Sequence, residues 1–267
     1  MLKDERLARI EAYINQKKYA GIRELSEYLS ISGATIRRDL EALAAQKKVS
    51  ITRGGAVAMD REEYIFIEDP YAEKTKSNRD EKIRIAREAA KLIAPGSTVI
   101  IDSGTTTFQI TPFLRDIPDL KLITNDVHIA AALSGCPNVN VTVLGGQLRQ
   151  GYYTLLGMYA ETAVSDMHVD VCLIGIDAVS LSGGLMISNL EEVSLKRSMI
   201  AAANKVVVVC DHTKFKKKAF LSVCGLEKVD LFVTGEEIDE ETLKVIHAIG
   251  KHVLVAPMDG AATPQEE

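Results

Sequence analysis

The chain has 267 residues, 46% of them hydrophobic, which is enough for two domains with buried cores and excludes wholesale disorder. No apolar run is long enough to cross a bilayer, and the opening Lys3-Asp4-Glu5-Arg6 lacks the apolar heart of a secretory signal, so a cytoplasmic protein with no membrane partner is expected. The net charge of −5 is uneven: residues 1–58 carry 11 Lys and Arg against 7 Asp and Glu, a net +4, and the remainder carries 21 against 30, a net −9.

In chain order, Leu7, Ile10 and Ile14 recur at helical spacing and the pattern fades at Gln16-Lys17-Lys18. A second helix is predicted from Ile22 to Leu29, a turn at Ser30-Ile31-Ser32, and a third helix continuing to about Gln46. In the third helix Ser32 can cap the first-turn amides, and Ile36, Leu40 and Leu43 share one face. Ala34, Thr35 and Arg38 then point the other way. A small residue near the helix start allows close approach to a groove, and Thr and Arg can bond base edges or phosphates. Val49-Ser50-Ile51-Thr52 has strand character and Arg53-Gly54-Gly55-Ala56 turn character, which predicts a β-wing that presents Arg53 to the backbone or minor groove. Helix order and basic charge together point to double-stranded DNA, with Ser32, Ala34, Thr35, Arg37, Arg38 and Arg53 as the contact residues.

A charged connector, Asp60-Arg61-Glu62-Glu63, leads past Glu68-Asp69-Pro70. The predicted organisation is a winged helix-turn-helix domain at 1–58, a linker at 59–80, a second domain at 81–258 and a disordered tail at 259–267. Ile83, Ala86, Ala90 and Ile93 suggest a helix that ends before Pro95-Gly96. Strands are predicted at Val99-Ile100-Ile101, Leu120-Lys121-Leu122-Ile123, Val141-Thr142-Val143-Leu144, Val171-Cys172-Leu173-Ile174, Val206-Val207-Val208-Val209 and Leu231-Phe232-Val233. Several are continuously apolar, as strands covered on both faces of a parallel sheet are, so the second domain reads as mostly parallel α/β.

The carboxyl ends of these strands carry Asp102-Ser103-Gly104, Thr124-Asn125-Asp126, Gly145-Gly146, Gly175-Ile176-Asp177, Asp211 and Thr234-Gly235. Ligand crevices of open α/β sheets lie there. Asp102-Ser103-Gly104-Thr105-Thr106-Thr107 joins strand to helix and offers amides and hydroxyls to an anion, without the spacing of a nucleotide-triphosphate loop. Arg149, Lys196 and Lys214 are candidates to complete a phosphate clamp beside Gly145 and Gly146, and Asp102, Asn125, Asp126 and Asp177 to bond sugar hydroxyls. With no Trp and 5% aromatic residues, a stacking platform for sugars is not expected. His128, His168, His212, His247, His252 and the four cysteines lack metal-binding spacing, and no nucleophile–base pair is legible. No catalytic residue, metal or cofactor is assigned; a sugar-phosphate isomerase-like enzyme with a DNA-binding appendage is the alternative.

These motifs resemble the DeoR family of bacterial transcriptional regulators from Arg6 to about Val255. The resemblance rests on Ile22-Arg23-Glu24-Leu25, Ser32 with Thr35-Ile36-Arg37-Arg38-Asp39-Leu40, Gly54-Gly55-Ala56, Lys82 with Ile85-Ala86, the segment from Asp102 to Thr107, Thr124-Asn125-Asp126, Gly145-Gly146 with Arg149, Lys196-Arg197, and Asp211 with Lys214-Phe215. Ile51 and Arg53 stand where the family often has Arg and His, and Ala178-Val179 where it often has Gly-Ile. The resemblance implies a winged helix-turn-helix followed by an α/β sensor related in fold to sugar-phosphate isomerases. It also implies repression of a sugar-use operon under control of a phosphorylated sugar. Paired operator half-sites would call for a homodimer or homotetramer.

Overall fold

A computed structural model describes residues 3–17, 19–46, 48–52, 54–58, 63–65, 68–180 and 183–258. Arg53 and the predicted tail at 259–267 lie outside the described residues. The chain divides into two compact units, Met1–Glu63 and Tyr64–Glu267.

The first unit runs α1 (Lys3–Lys17), β1 (Tyr19–Gly21), α2 (Ile22–Leu29), α3 (Gly33–Ala45), β2 (Val49–Thr52) and β3 (Gly55–Ala58). Glu24 accepts a bond from the Gly21 amide at the start of α2, and Ser30, left-handed at φ 55°, ends it. Only Ser30, Ile31 and Ser32 separate α2 from α3, so the pair forms a helix-turn-helix. Leu7, Ile10 and Ile14 of α1, Leu25 of α2, and Ile36, Leu40 and Leu43 of α3 meet in one core. Burial of each such side chain contributes about 1.5–3 kcal/mol. The three strands form an antiparallel sheet in the order β1, β3, β2; β1 is an element the sequence pattern did not predict. The paired glycines of the wing do different work. Gly54 takes φ 98° at the turn, whereas a Cβ on Gly55 would lie 2.2 Å from the Ala20 carbonyl oxygen of β1.

The second unit is built on a seven-stranded, fully parallel sheet. Its strands are β4 (Thr98–Ile101), β5 (Leu120–Thr124), β6 (Val139–Val143), β7 (Val169–Ile174), β8 (Ala203–Val209), β9 (Leu231–Gly235) and β10 (His252–Ala256), in the spatial order β10, β9, β8, β7, β4, β5, β6. β10 is a seventh strand beyond the six predicted. Alternate residues of one strand serve opposite faces. Ile100, Cys172, Ile174, Val206, Val208 and Phe232 pack with Ala160, Val164, Leu195, Met199 and Ile246 on one side. Val99, Ile101, Leu122, Val171, Leu173, Val207 and Val233 pack with Ile85, Ala86, Ala89, Ile129 and Leu133 on the other. Both faces are covered, which is why the strands read as apolar runs.

The helix before β4 spans Arg79–Ala90. Its core face is Ile85, Ala86, Ala89 and Ala90; Ile83, expected on the stripe, is half-buried because the face is set by the pair two residues further on. A short helix at Tyr71–Lys76 stands where the sequence suggested linker. The chain order runs outward from β4 through β5 to β6, then returns to β7 beside β4. The switch point of the sheet therefore lies between β4 and β7, with Asp102 and Gly175 at its mouth.

Candidate functional site

Each unit carries one candidate site. In the first, Ser32 Oγ accepts a bond from the Thr35 amide at 3.3 Å and lies 2.9 Å from Thr35 Oγ1, fixing the start of α3. With Ile36, Asp39, Leu40 and Leu43 buried, Ser32, Ala34, Arg37 and Arg38 are exposed and Thr35 is half-exposed. Arg37 and Arg38 make no hydrogen bond or ion pair with a described residue. Asp39 was passed over by the sequence reading as a function-bearing residue. It is buried and takes two bonds from Arg6 of α1, at 2.6 and 3.0 Å, which lock the exposed face of α3 in angle. Its signal was a carboxylate on the apolar stripe of a helix.

In the second unit a cavity of about 400 Å³ opens at the switch point. Ser103, Gly104, Thr105, Thr106 and Thr107 after β4, Asp177 after β7, Lys196, and Lys214 after β8 all line it, so eight of the predicted residues converge. The other six stand behind the wall or away from it. Asp102 is buried beneath the loop, where it accepts bonds from the Gly175 amide at 3.1 Å and from Lys196 Nζ. Lys196 also donates to the Gly175 carbonyl at 3.0 Å, which ties the ends of β4 and β7 together. Burial would draw the Lys196 amine down, but Asp102 and Glu192 outweigh it and keep the amine charged.

Asn125 accepts from the Ser103 amide at 3.0 Å. Asp126 Oδ1 caps the helix Val127–Leu133 through the amides of His128 and Ile129, at 2.7 and 3.0 Å, while its Oδ2 accepts from Ser103 Oγ at 2.6 Å. Both side chains shape the loop from behind instead of facing the cavity. Gly145 and Gly146 sit in an exposed turn away from it; a Cβ on Gly146 would lie 2.3 Å from the Leu156 carbonyl oxygen, so this glycine serves the close approach of two backbones. Arg149 does not line the cavity either. Its two arms hold Glu68 at 2.6 Å and Glu192 at 2.7 Å, and those carboxylates do line it.

The sequence reading missed the wall formed by residues 68–82, because that stretch was assigned largely to a linker. Glu68, Tyr71, Lys74, Ser77 and Lys82 line the cavity, as does Tyr152. Lys74 donates to Glu68 and, at 2.7 Å, to Asp177. Burial works against its charge, yet Asp177 and Glu68 hold its pKa above the ordinary lysine range. Burial likewise works against the Asp177 carboxylate, but Lys74 and Lys214 outweigh it and bring the pKa to about 2. Lys82 donates to the carbonyls of Lys74 and Ser77, and burial pulls its amine down to about 8. Lys214 has no hydrogen-bond or close ion-pair partner among the described residues, although Asp177 and Asp211 both feel its charge. Glu81, Asp211 and His212 bring donor atoms within 4.8 Å of one another, but Glu81 already binds both the His212 amide and its ring, at 2.8 and 2.9 Å.

The arrangement can hold an anion between amine groups and hydroxyls while carboxylates grip neighbouring hydroxyls. Against known proteins, residues 6–62 match the family model of a DeoR-like helix-turn-helix domain and residues 77–236 that of a DeoR C-terminal sensor domain. The HTH-type transcriptional repressor GlcR of Bacillus subtilis is 31% identical over 97% of this chain and 98% of its own. The glycerol-3-phosphate regulon repressor of Escherichia coli is 30% identical over 87% of this chain and 91% of its own. Among solved structures, ribose 5-phosphate isomerase A of Methanocaldococcus jannaschii aligns with 52% of this chain and 55% of its own at 19% identity, with a TM-score of 0.37. No described helix is long and apolar enough to cross a membrane.

Proposed function

The chain belongs to the DeoR family of helix-turn-helix transcriptional regulators, and from that premise we propose that it is a cytoplasmic repressor of a sugar-utilisation operon, released from its operator by a phosphorylated sugar. The reading is carried by the meeting of Lys214 with Thr105 and Thr106 at the switch-point cavity. None of these three side chains bonds to a described residue, so amine and hydroxyls are open to a phosphate. Asp177, Asp211 and Glu192 lie around them as acceptors for sugar hydroxyls. Ser32, Ala34, Thr35, Arg37, Arg38 and Arg53 are the proposed DNA contacts, and the protein acts as a homodimer or homotetramer that presents two α3 helices to paired half-sites.

A duplex selected by the full-length chain from a random-sequence pool supplies the DNA probe. Arg38→Glu is expected to weaken binding to it by about 1–3 kcal/mol or more, roughly tenfold to a hundredfold, with a shallower dependence on salt. Full affinity in a folded Arg38→Glu protein would remove α3 from the reading surface. A panel of pentose and hexose phosphates, added to the preformed complex, is expected to contain one that releases the duplex while its unphosphorylated sugar does not. Release by the free sugar alone would overturn the phosphate assignment.

A further inference from the structure

One wall of the cavity comes from no strand end: it is the chain that follows the first unit, and one carboxylate fastens it. Glu68 lies five residues after Glu63, where the first unit ends, and its side chain is 13% exposed. Lys74 ion-pairs one of its oxygens and Arg149 Nη2 donates to the other at 2.6 Å. Neither cation is free to leave. Arg149 also bonds Glu192 at 2.7 Å and lies over the Tyr152 ring at 3.7 Å from its centroid; Lys74 also bonds Asp177 at 2.7 Å. Arg149 from outside the segment and Lys74 from further along it thus converge on one carboxylate, and each cation is also held by another partner.

A guanidinium and an ammonium set around an anionic group offer the same donors to a carboxylate of the chain or to a phosphate or carboxylate of a ligand. We propose that Lys74 and Arg149 form an anion position in the cavity wall, that Glu68 is its built-in occupant, and that an anionic group of the effector replaces Glu68 there and detaches the stretch around Glu68, ahead of Lys74, from the sensor. The proposal rests on the reading that the cavity takes an anionic effector. Beyond Glu68 the segment stays held by Lys74 on Asp177 at 2.7 Å and by the Lys82 amine on the Lys74 and Ser77 carbonyls, whereas the stretch ahead of Lys74 has only uncharged contacts besides Glu68: Tyr152 Oη donates to the Asp69 carbonyl at 2.9 Å, and Tyr71 stands edge-on to Tyr152 and Tyr153. Loss of the Glu68 carboxylate removes both charge-assisted bonds at once, from a stretch covalently next to the DNA-reading unit. Exchange of one anion for another gives the effector different affinities for the held and the released segment, which is what a switch requires.

Inorganic phosphate is the probe and the full-length chain the protein. Glu68→Gln keeps the shape and an oxygen for Arg149 but removes the competing charge. Its phosphate dissociation constant is expected to fall at least about fivefold below that of the wild type, and the gain is expected to vanish when Arg149→Met is added. In the wild type, hydrogen exchange of amides 68–73 is expected to speed up on phosphate addition, a measurement that stands even if the variants fold poorly. Equal phosphate affinity in wild type and Glu68→Gln, a gain that survives loss of Arg149, or slower exchange of 68–73 on binding each overturns Glu68 as occupant while leaving the cavity as an effector site. No phosphate binding by either protein overturns both readings.

Discussion

Two side chains at the cavity give the sharpest tests of its chemistry. Lys82 is an ordinary lysine in composition and an unusual one in place, since its amine is buried against the Lys74 and Ser77 carbonyls with Asp211, Lys214, Lys74 and Glu81 around it. An unperturbed lysine keeps its charge to about pH 10.4. With burial holding the amine at about 8, Lys82 helps bind an anion fully below that pH and stops doing so as pH rises through it. The sign for stability runs the other way: between about 8 and 10.4 the unfolded chain holds a proton that the folded chain has released, so this group makes the fold more stable as pH rises. Sulfate, whose charge is constant in this range, is expected to bind several-fold more weakly at pH 9 than at pH 7, and Lys82→Arg to flatten that fall. A flat sulfate profile in the wild type would separate Lys82 from the anion. Thr106, buried on the cavity wall, gives the complementary test: Thr106→Glu puts a fixed negative charge beside the bound anion and is expected to abolish phosphate binding, while Thr106→Gln, of equal size, retains part of it. Equal losses from both would show that bulk rather than charge acts there.

At the scale of elements, what could be read from the sequence was whatever the chain decides locally. Ser32 and the Ile36, Leu40, Leu43 stripe are set by helical period and capping, both of which lie within a dozen residues, and the central strands are apolar runs because both of their faces are covered. The edge strand His252–Ala256 was passed over although Val253-Leu254-Val255-Ala256 is an apolar run like the others, and β1 was passed over because three residues carry no period. The site was legible to the same extent. Of the six polar strand ends, those at Ser103-Gly104, Gly175-Ile176-Asp177 and Asp211 line the cavity, but an aspartate at a strand–helix junction serves equally as a cap or as a ligand group, and only tertiary geometry chooses. For Asp126 it chose the cap. Asp126→Ala is accordingly expected to cost about 2–4 kcal/mol, from two amides of the helix Val127–Leu133 and from the half-buried hydroxyl of Ser103, read as a lowered urea midpoint of the second unit. A midpoint within experimental error of the wild type would return Asp126 to the ligand-binding residues. Glu68 and Lys74 were beyond reach for a different reason, and Arg149 was expected to meet the ligand directly instead of Glu68: the Glu68–Arg149 and Lys74–Asp177 pairs span 81 and 103 positions in sequence, and a charged stretch after a domain looks like a solvated connector until it is folded.

At the scale of the molecule, reading and sensing draw on separate cores. Every residue of the cluster around Ile10, Leu25 and Leu40 belongs to the first unit, and the two clusters on either face of the parallel sheet belong to the second. Excess positive charge and excess negative charge follow the same division. Two consequences can be measured on one protein. Leu40 is almost wholly buried in the smaller core, and Leu40→Ala is expected to cost that unit about 2–5 kcal/mol, a large share of what a domain of about 60 residues has in reserve. Calorimetry is then expected to show a low-temperature transition lost or moved far down, with DNA binding gone, while the transition of the sensor and its phosphate affinity stay in place. Phosphate should act on the other transition. At about a hundredfold excess over its dissociation constant it adds about 2.7 kcal/mol to whichever unit binds it, so the upper transition moves up and the lower one does not. If both perturbations displaced one common transition, the two cores would melt as a single cooperative body. The switch would then have to work through shared packing, and the charged stretch at Glu68 would lose its place as the connection between effector and DNA.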